Sequence, residues 1–228
     1  MNPDLSAVAR LIADPARSAI LLHLLDGCER SASDLALRAG ATPQSASNHL
    51  AKLVDGGLIV ARSEGRHRFF RLRTPEIAHA IEVLGSIAPV APVSSLRAHT
   101  LMERLRVART CYDHAAGKLG VAIGESLERR RILARRDGIY DVTKRGSHFF
   151  AALGIDCDAL RLRKRTFARP CLDWTERRDH LAGALGAAIL HVMLDRRWVT
   201  NNPRDRALTI TPHGTTAIEK TLGVPLSS

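Results

Sequence analysis

Two sets of side chains in this sequence have the types and spacing to do chemistry. The first lies in residues 40–73, GATPQSASNHLAKLVDGGLIVARSEGRHRFFRLR. Thr42, Gln44, Ser45, Ser47, Asn48, His49 and Lys52 combine amides, hydroxyls, an imidazole and one cation over little more than ten positions. Side-chain amides can read base edges in a DNA major groove, while hydroxyls and Lys hold phosphates. Arg62, Arg66, His67 and Arg68 follow closely and suit the sugar–phosphate backbone beside such a groove. The second set is Cys111 and His114, with Cys171, Asp173 and His180 further on. Thiolate and imidazole suit a soft or borderline ion such as zinc or copper(I), although the spacing is not a recognised zinc pattern. A thiol switch fits equally, because Cys111 follows Arg106 and Arg109, Cys171 follows Arg165 and Arg169, and nearby cations lower a thiol pKa. A third option is an organic effector lined by Tyr112, Trp174 and the two histidines. The inert alternative, a cysteine as a small buried hydrophobe, stays open for Cys111 and Cys171 and is our reading of Cys28 and Cys157.

The elements that must position the first set are legible. Thr42 is a helix N-cap and Pro43 a first helical residue. Ala46, Leu50, Leu53 and Val54 then form an apolar stripe opposite the polar face, and Gly56-Gly57 stops the helix. Leu58-Ile59-Val60, a Ser63-Glu64-Gly65 turn and the alternating run Arg66 to Arg73 predict a two-stranded ribbon with a basic tip. Upstream, Asp14 caps a helix that starts at Pro15 and buries Ile20, Leu21, Leu24 and Leu25. Gly27 ends it, Ser33 opens a helix over 34–39, and Gly40 makes the turn into the polar helix. Downstream, Pro75 starts a helix bearing Ile77, Ile81 and Leu84, and residues 88–93, APVAPV, read as a short stiff linker.

Asp14-Pro15-Ala16-Arg17, Ile20-Leu21, Asp34-Leu35-Ala36, the run Gln44 to Leu50 and the run Gly65 to Leu72 together resemble the ArsR/SmtB family of bacterial repressors. The resemblance covers about the first 90 residues, the size of a small domain. It implies a dimeric winged helix that binds an inverted-repeat operator and is released by an inducer, often a metal. The dimer contact in the family usually comes from the helices flanking the winged core, which here carry Ala7, Val8, Leu11, Ile12, Ile77, Ile81 and Leu84. Metal-sensing members often carry paired cysteines in the first helix of the helix-turn-helix, or paired Asp/His ligands on the last dimer helix. Residues 33–38 hold no cysteine, and the last helix has the single histidine His79, so those inducers do not carry over.

Residues 93–228 have no counterpart in short members of the family and resemble themselves. Over 113–133 against 179–199, ten of 21 positions are identical, beginning with Asp-His in each copy. Each copy reads as a helix, a hairpin (138–143; 206–211) and a terminal helix, with repeats at about 111–155 and 177–224. His114 and His180 would then stand near helix starts, and Gly117/Gly120 and Gly183/Gly186 would allow close helix–helix approach. The expected fold is therefore α+β, mainly α with short β-hairpins. Residues 1–92 form a winged helix-turn-helix for DNA binding and dimerisation, and 93–228 an effector-binding domain of two helix–hairpin–helix repeats.

Charge supports a polyanionic partner, the net being +11. Residues 1–92 contribute 10 Lys+Arg against 9 Asp+Glu, yet 40–73 alone hold six basic residues against Asp55 and Glu64. That is a local basic footprint for double-stranded DNA. The larger excess downstream suits flanking phosphates, an anionic effector or a solvated surface. No apolar run approaches a membrane span, and residues 1–13 lack signal-peptide order, so a cytoplasmic location is expected. Four cysteines at irregular spacing make no disulfide framework. GxSxG, phosphate-binding glycine loops and HExxH are all missing, which argues against an enzyme. The paired Asp-His sites are its only foothold.

Overall fold

A computed structural model describes residues 2–89, 95–202 and 205–226. They form two compact units, Met1–Ile81 and Glu82–Ser228, with the division inside a helix. The expected linker at 88–93 lies partly outside the described residues.

In the first unit α1 (Leu5–Ile12) is capped by Asp4 and α2 (Pro15–His23) by Asp14, whose carboxylate accepts the Arg17 N–H. A short helical turn over Leu24–Asp26 ends at Gly27, whose φ of 73° is the left-handed conformation that glycine adopts without strain. Strand β1 (Arg30–Ser31) leads into α3 (Ala32–Arg38). Ser31 caps α3 by accepting the Asp34 N–H, two residues earlier than the Ser33 expected from sequence. The polar helix α4 (Pro43–Asp55) starts at its Thr42 cap. Strands β2 (Ile59–Glu64) and β3 (His67–Leu72) form the wing hairpin and β1 joins its other edge, giving the antiparallel order β1-β3-β2. Strand β2 runs past the expected residues 58–60 and takes in Ser63 and Glu64, which the sequence placed in the turn, while β3 is shorter than the expected run 66–73. Helix α5 (Pro75–Ile87) follows.

The core of this unit is Ile20, Leu21, Leu24, Leu25, Leu35, Leu50, Leu53, Ile59, Phe70 and Leu72, all buried. Each such side chain contributes about 1.5–3 kcal/mol of burial. The stripe on α4 does what its spacing predicts: Ala46, Leu50 and Leu53 are sealed, so the opposite face is fixed outward. Cys28 departs from expectation. It is exposed, in the turn before β1.

The second unit opens with α6 (Leu96–Val107). Next come the hairpin β4 (Arg109–Cys111) and β5 (His114–Ala116), helix α7 (Gly117–Arg129), the hairpin β6 (Leu133–Arg136) and β7 (Ile139–Val142), and α8 (Lys144–Ala152). Helix α9 (Cys157–Arg161) is followed by the hairpin β8 (Arg169–Leu172) and β9 (Asp179–Ala182), helix α10 (Gly183–Asp195), the hairpin β10 (Val199–Asn201) and β11 (Leu208–Ile210), and α11 (Pro212–Leu222). The order hairpin, helix, hairpin, helix therefore occurs twice; the helix–hairpin–helix expectation lacked the leading hairpin, and its hairpins at 138–143 and 206–211 took in only the second strand of each inner pair. His114 and His180 sit on strands, just before their helices start. The glycines also serve a different contact from the one expected. A Cβ on Gly120 would overlap the Ala115 carbonyl, and one on Gly186 the Leu181 carbonyl, so they let a helix lie against a hairpin. The pairing is crossed, with α7 against β9 and α10 against β5. Leu119, Ile123, Leu127, Phe150, Leu185, Met193, Ile218 and Leu222 are among the residues of one shared core. No helix among the described residues is long and apolar enough to cross a membrane.

Candidate nucleic-acid interface and candidate metal centre

On α4, Thr42, Gln44, Ser47, Asn48 and Lys52 are exposed. Ser45 and His49 are half-buried and turn toward each other, Ser45 Oγ lying 3.2 Å from His49 Nε2. The other ring nitrogen of His49 is 3.6 Å from the Asp14 carboxylate that caps α2. These two side chains thus tie α4 to the start of α2 and leave Gln44, Ser47, Asn48 and Lys52 as the outward set. At the wing, Arg66, His67 and Arg68 are exposed. The Arg68 guanidinium lies over the Phe70 ring at 5.3 Å, and such stacking holds a cation in place. Arg62 is exposed but engaged: it donates to Glu29 at 2.8 Å and to Glu64 at 2.6 Å. An outward polar helix held by its apolar side, beside an arginine-tipped hairpin, defines a winged-helix DNA-binding protein.

The second set is built by two hairpins. In β4–β5 the register places Cys111 directly opposite His114, across a two-residue turn in which Tyr112 has a φ of 59°. In β8–β9 it places Cys171 opposite His180. Arg109 and Arg169 also occupy equal register positions, opposite Ala116 and Ala182. Cys111 and His114 therefore meet across a hairpin, although a spacing of three is also one that puts two side chains on the same face of a helix.

The hairpins bring the four side chains together. Cys111, His114, Cys171 and His180 are all buried, with one ligand atom of each within 4.8 Å of all the others. The two Sγ atoms are 3.9 Å apart and the two Nε2 atoms 3.1 Å apart. The imidazole rings stack with centroids at 5.0 Å. Ala116 and Ala182 share the cysteines' cluster, so the surroundings are small and apolar. The hydrogen bond to Cys171, together with burial, pushes the Cys111 thiol well above its ordinary pKa.

Each histidine has a carboxylate behind it. His114 Nδ1 lies 3.3 Å from Asp113, which accepts from Arg165 at 2.6 Å. His180 Nδ1 has no hydrogen-bond partner and faces Asp173 at 3.7 Å. Asp173 is fully buried and accepts from Arg109 at 2.9 Å and from the Gly117 N–H at 2.7 Å, while its other oxygen takes Thr175. Burial opposes its ionisation, yet Arg109, Thr175 and Gly117 together hold the carboxyl down to about 2. Asp179, the sequence neighbour of His180, instead pairs with Arg135 at 2.8 Å. Trp174 lies beneath the Arg109 guanidinium at 4.9 Å, and Tyr112 is half-buried in its turn. Sequence reading took Arg109 only as a cation near Cys111 and missed its buried pairing with Asp173. Its one signal was the shared Arg-x-Cys of 109–111 and 169–171.

Comparison with known proteins agrees with the first half of this picture and extends over the second. The family described as helix-turn-helix domain matches residues 12–62. The chain is 45% identical over 226 residues to the HTH-type transcriptional regulator YdfF of Bacillus subtilis, covering 99% of this chain and 100% of that one. It is 44% identical over 80 residues to the HTH-type transcriptional regulator CmtR of Mycobacterium tuberculosis, covering 33% and 66% of the two chains. The solved structure of that cadmium sensor aligns at 34% identity over 41% of this chain and all of the other, with a TM-score of 0.30. The chain belongs to the ArsR/SmtB family of helix-turn-helix transcriptional regulators and carries an additional C-terminal region.

Proposed function

We propose that the chain is a dimeric, sequence-specific repressor that reads an inverted-repeat operator with α4 and is released by an effector sensed in residues 93–228. The single observation that carries the DNA reading is the outward set Gln44, Ser47, Asn48 and Lys52 on a helix locked by its apolar face. Two such helices related by a twofold would enter successive major grooves about 34–36 Å apart. A second copy is supported by α1, which buries none of its residues and leaves Leu5 and Val8 exposed despite a strongly amphipathic sequence.

The assignment separates two kinds of contact, and a gel shift and footprint on DNA upstream of the protein's own gene tests both. Gln44→Ala and Asn48→Ala should each remove about 1–3 kcal/mol of discrimination between operator and other sequences, with little change in non-specific affinity. Arg66→Ala or Arg68→Ala should weaken binding to every sequence and reduce the salt slope by about 1. Full operator preference in the Gln44 and Asn48 variants would remove α4 as the reading face.

Sensing requires that the effector favour a form of the protein that fits the operator poorly; affinity without that preference switches nothing. Among the readings of the second unit, thiol or metal chemistry has the stronger support. The stacked, buried imidazoles leave no room between them for an organic molecule, and both cysteines lie beside them. The double variant Cys111→Ser, Cys171→Ser should keep operator binding and lose induction in a reporter strain. Unchanged induction would return the effector site to another part of the unit.

A further inference from the structure

We propose that Cys111, His114, Cys171 and His180 form a closed tetrahedral site for a divalent cation of the zinc class, clipping the β4–β5 hairpin to the β8–β9 hairpin. The metal site stands on geometry alone, whereas its coupling to DNA rests on the repressor reading above. Zinc bonds of about 2.3 Å to sulfur and 2.0–2.1 Å to nitrogen put tetrahedral edges near 3.8 Å between sulfurs and 3.3 Å between nitrogens. The observed 3.9 Å and 3.1 Å lie close to both edges. A disulfide, by contrast, needs the sulfurs at about 2.0 Å. Two sulfurs and two nitrogens at the corners of a tetrahedron select zinc over the harder divalent ions.

The surroundings fit as well as the ligands. Binding through Nε2 leaves each Nδ1 to carry the ring proton, and the carboxylates of Asp113 and Asp173 face those two nitrogens. For His180 this accounts for a buried Nδ1 that otherwise has no hydrogen-bond partner. Carboxylates in that position fix the imidazole tautomer and raise its basicity as a ligand. Arg165 and Arg109 hold the two carboxylates in turn. Each ion bound displaces two thiol protons to solvent while the imidazoles bind neutral. Two thiolates then balance the charge of a divalent cation, so the buried site carries no net charge. Four protein ligands complete the coordination shell, which is the arrangement of sites that hold structure and do no hydrolysis.

The test uses the reduced full chain, stripped with chelator and titrated with cobalt(II) as the probe and zinc(II) as the competitor. We expect one equivalent of cobalt per chain, with thiolate-to-cobalt charge-transfer bands and visible bands of tetrahedral intensity that zinc abolishes. Cys111→Ser, Cys171→Ser should lose the charge-transfer bands. Asp113→Asn, which leaves all four ligands in place, should keep them and weaken the metal by about 10–100-fold. No tetrahedral spectrum in wild type, or the same spectrum in the double cysteine variant, overturns the site. So does a Cys111–Cys171 disulfide that survives the reductant. A gel shift on the same samples, with and without zinc, reports separately on the coupling. Bound metal with unchanged operator affinity leaves the site standing and overturns its role as the sensor.

Discussion

Asp173→Ala is expected to destabilise the second unit by about 3–5 kcal/mol, because it strands a buried cation. Arg109 and Asp173 both have fully buried side chains and meet at 2.9 Å. Removing the carboxylate leaves Arg109 with the Leu105 carbonyl and Thr175 Oγ as its remaining oxygen partners. The Gly117 N–H at the start of α7 and the Thr175 and Glu176 N–H groups lose an acceptor in the same step. Arg109→Met, Asp173→Leu should recover much of the loss, since replacing a buried ion pair by apolar side chains is often close to neutral. Both tryptophans, Trp174 and Trp198, lie in this unit, so their fluorescence in a urea titration follows it specifically. A single-variant cost below about 1 kcal/mol would mean that water reaches Arg109 and that the pair does not organise the hairpins.

Most of the first unit was legible because its signals are local. Asp14-Pro15 and Thr42-Pro43 each join a capping side chain to a residue that needs no N–H, and both start helices. The stripe Ala46, Leu50, Leu53 fixed which face of α4 points outward before any tertiary contact was known. His49 was less legible. Its spacing put it with the DNA-facing residues, but its partner Asp14 lies 35 positions earlier, and helix periodicity carries no information on that contact.

In the second unit the chemistry was legible and the geometry was not. Cys111, His114, Cys171, Asp173 and His180 were identifiable as residue types, and their convergence follows from two hairpins that periodicity did not reveal. Strands of three or four residues are too short to show an alternating pattern. The aligned copies also hid the equivalence of the cysteines. Cys111 precedes its histidine by a two-residue turn, whereas between Cys171 and His180 the chain makes a longer loop folded around the Asp173 carboxylate. Asp113 and Asp179 align in sequence, yet that longer loop gives His180 a carboxylate from Asp173 and frees Asp179 for Arg135.

Opposite effects from two glycines one turn apart are expected on α7. Gly120→Ala places a methyl group onto the backbone carbonyl of Ala115, where strand β5 is already paired with β4 and covered by α10. Neither the helix nor the strand can retreat without moving the other, so the cost should reach or exceed the upper end of the usual overpacking range, about 1–3 kcal/mol. Gly124→Ala meets only ordinary contacts, the nearest being the Leu181 nitrogen at 3.7 Å and His180 Cα at 3.8 Å. There the gain in helix propensity dominates, up to about 1 kcal/mol in favour of folding. The two variants carry the same added methyl group at different positions of one helix, so their composition is matched. Because Ala115 follows His114 directly, the Gly120 variant should also disturb the Cys111–His114 register, and the Gly124 variant should leave it intact. Tryptophan-monitored urea titrations of the two proteins decide the point: equal midpoints would mean that the first turns of α7 do not press on the Ala115 carbonyl of the strand that leads into them.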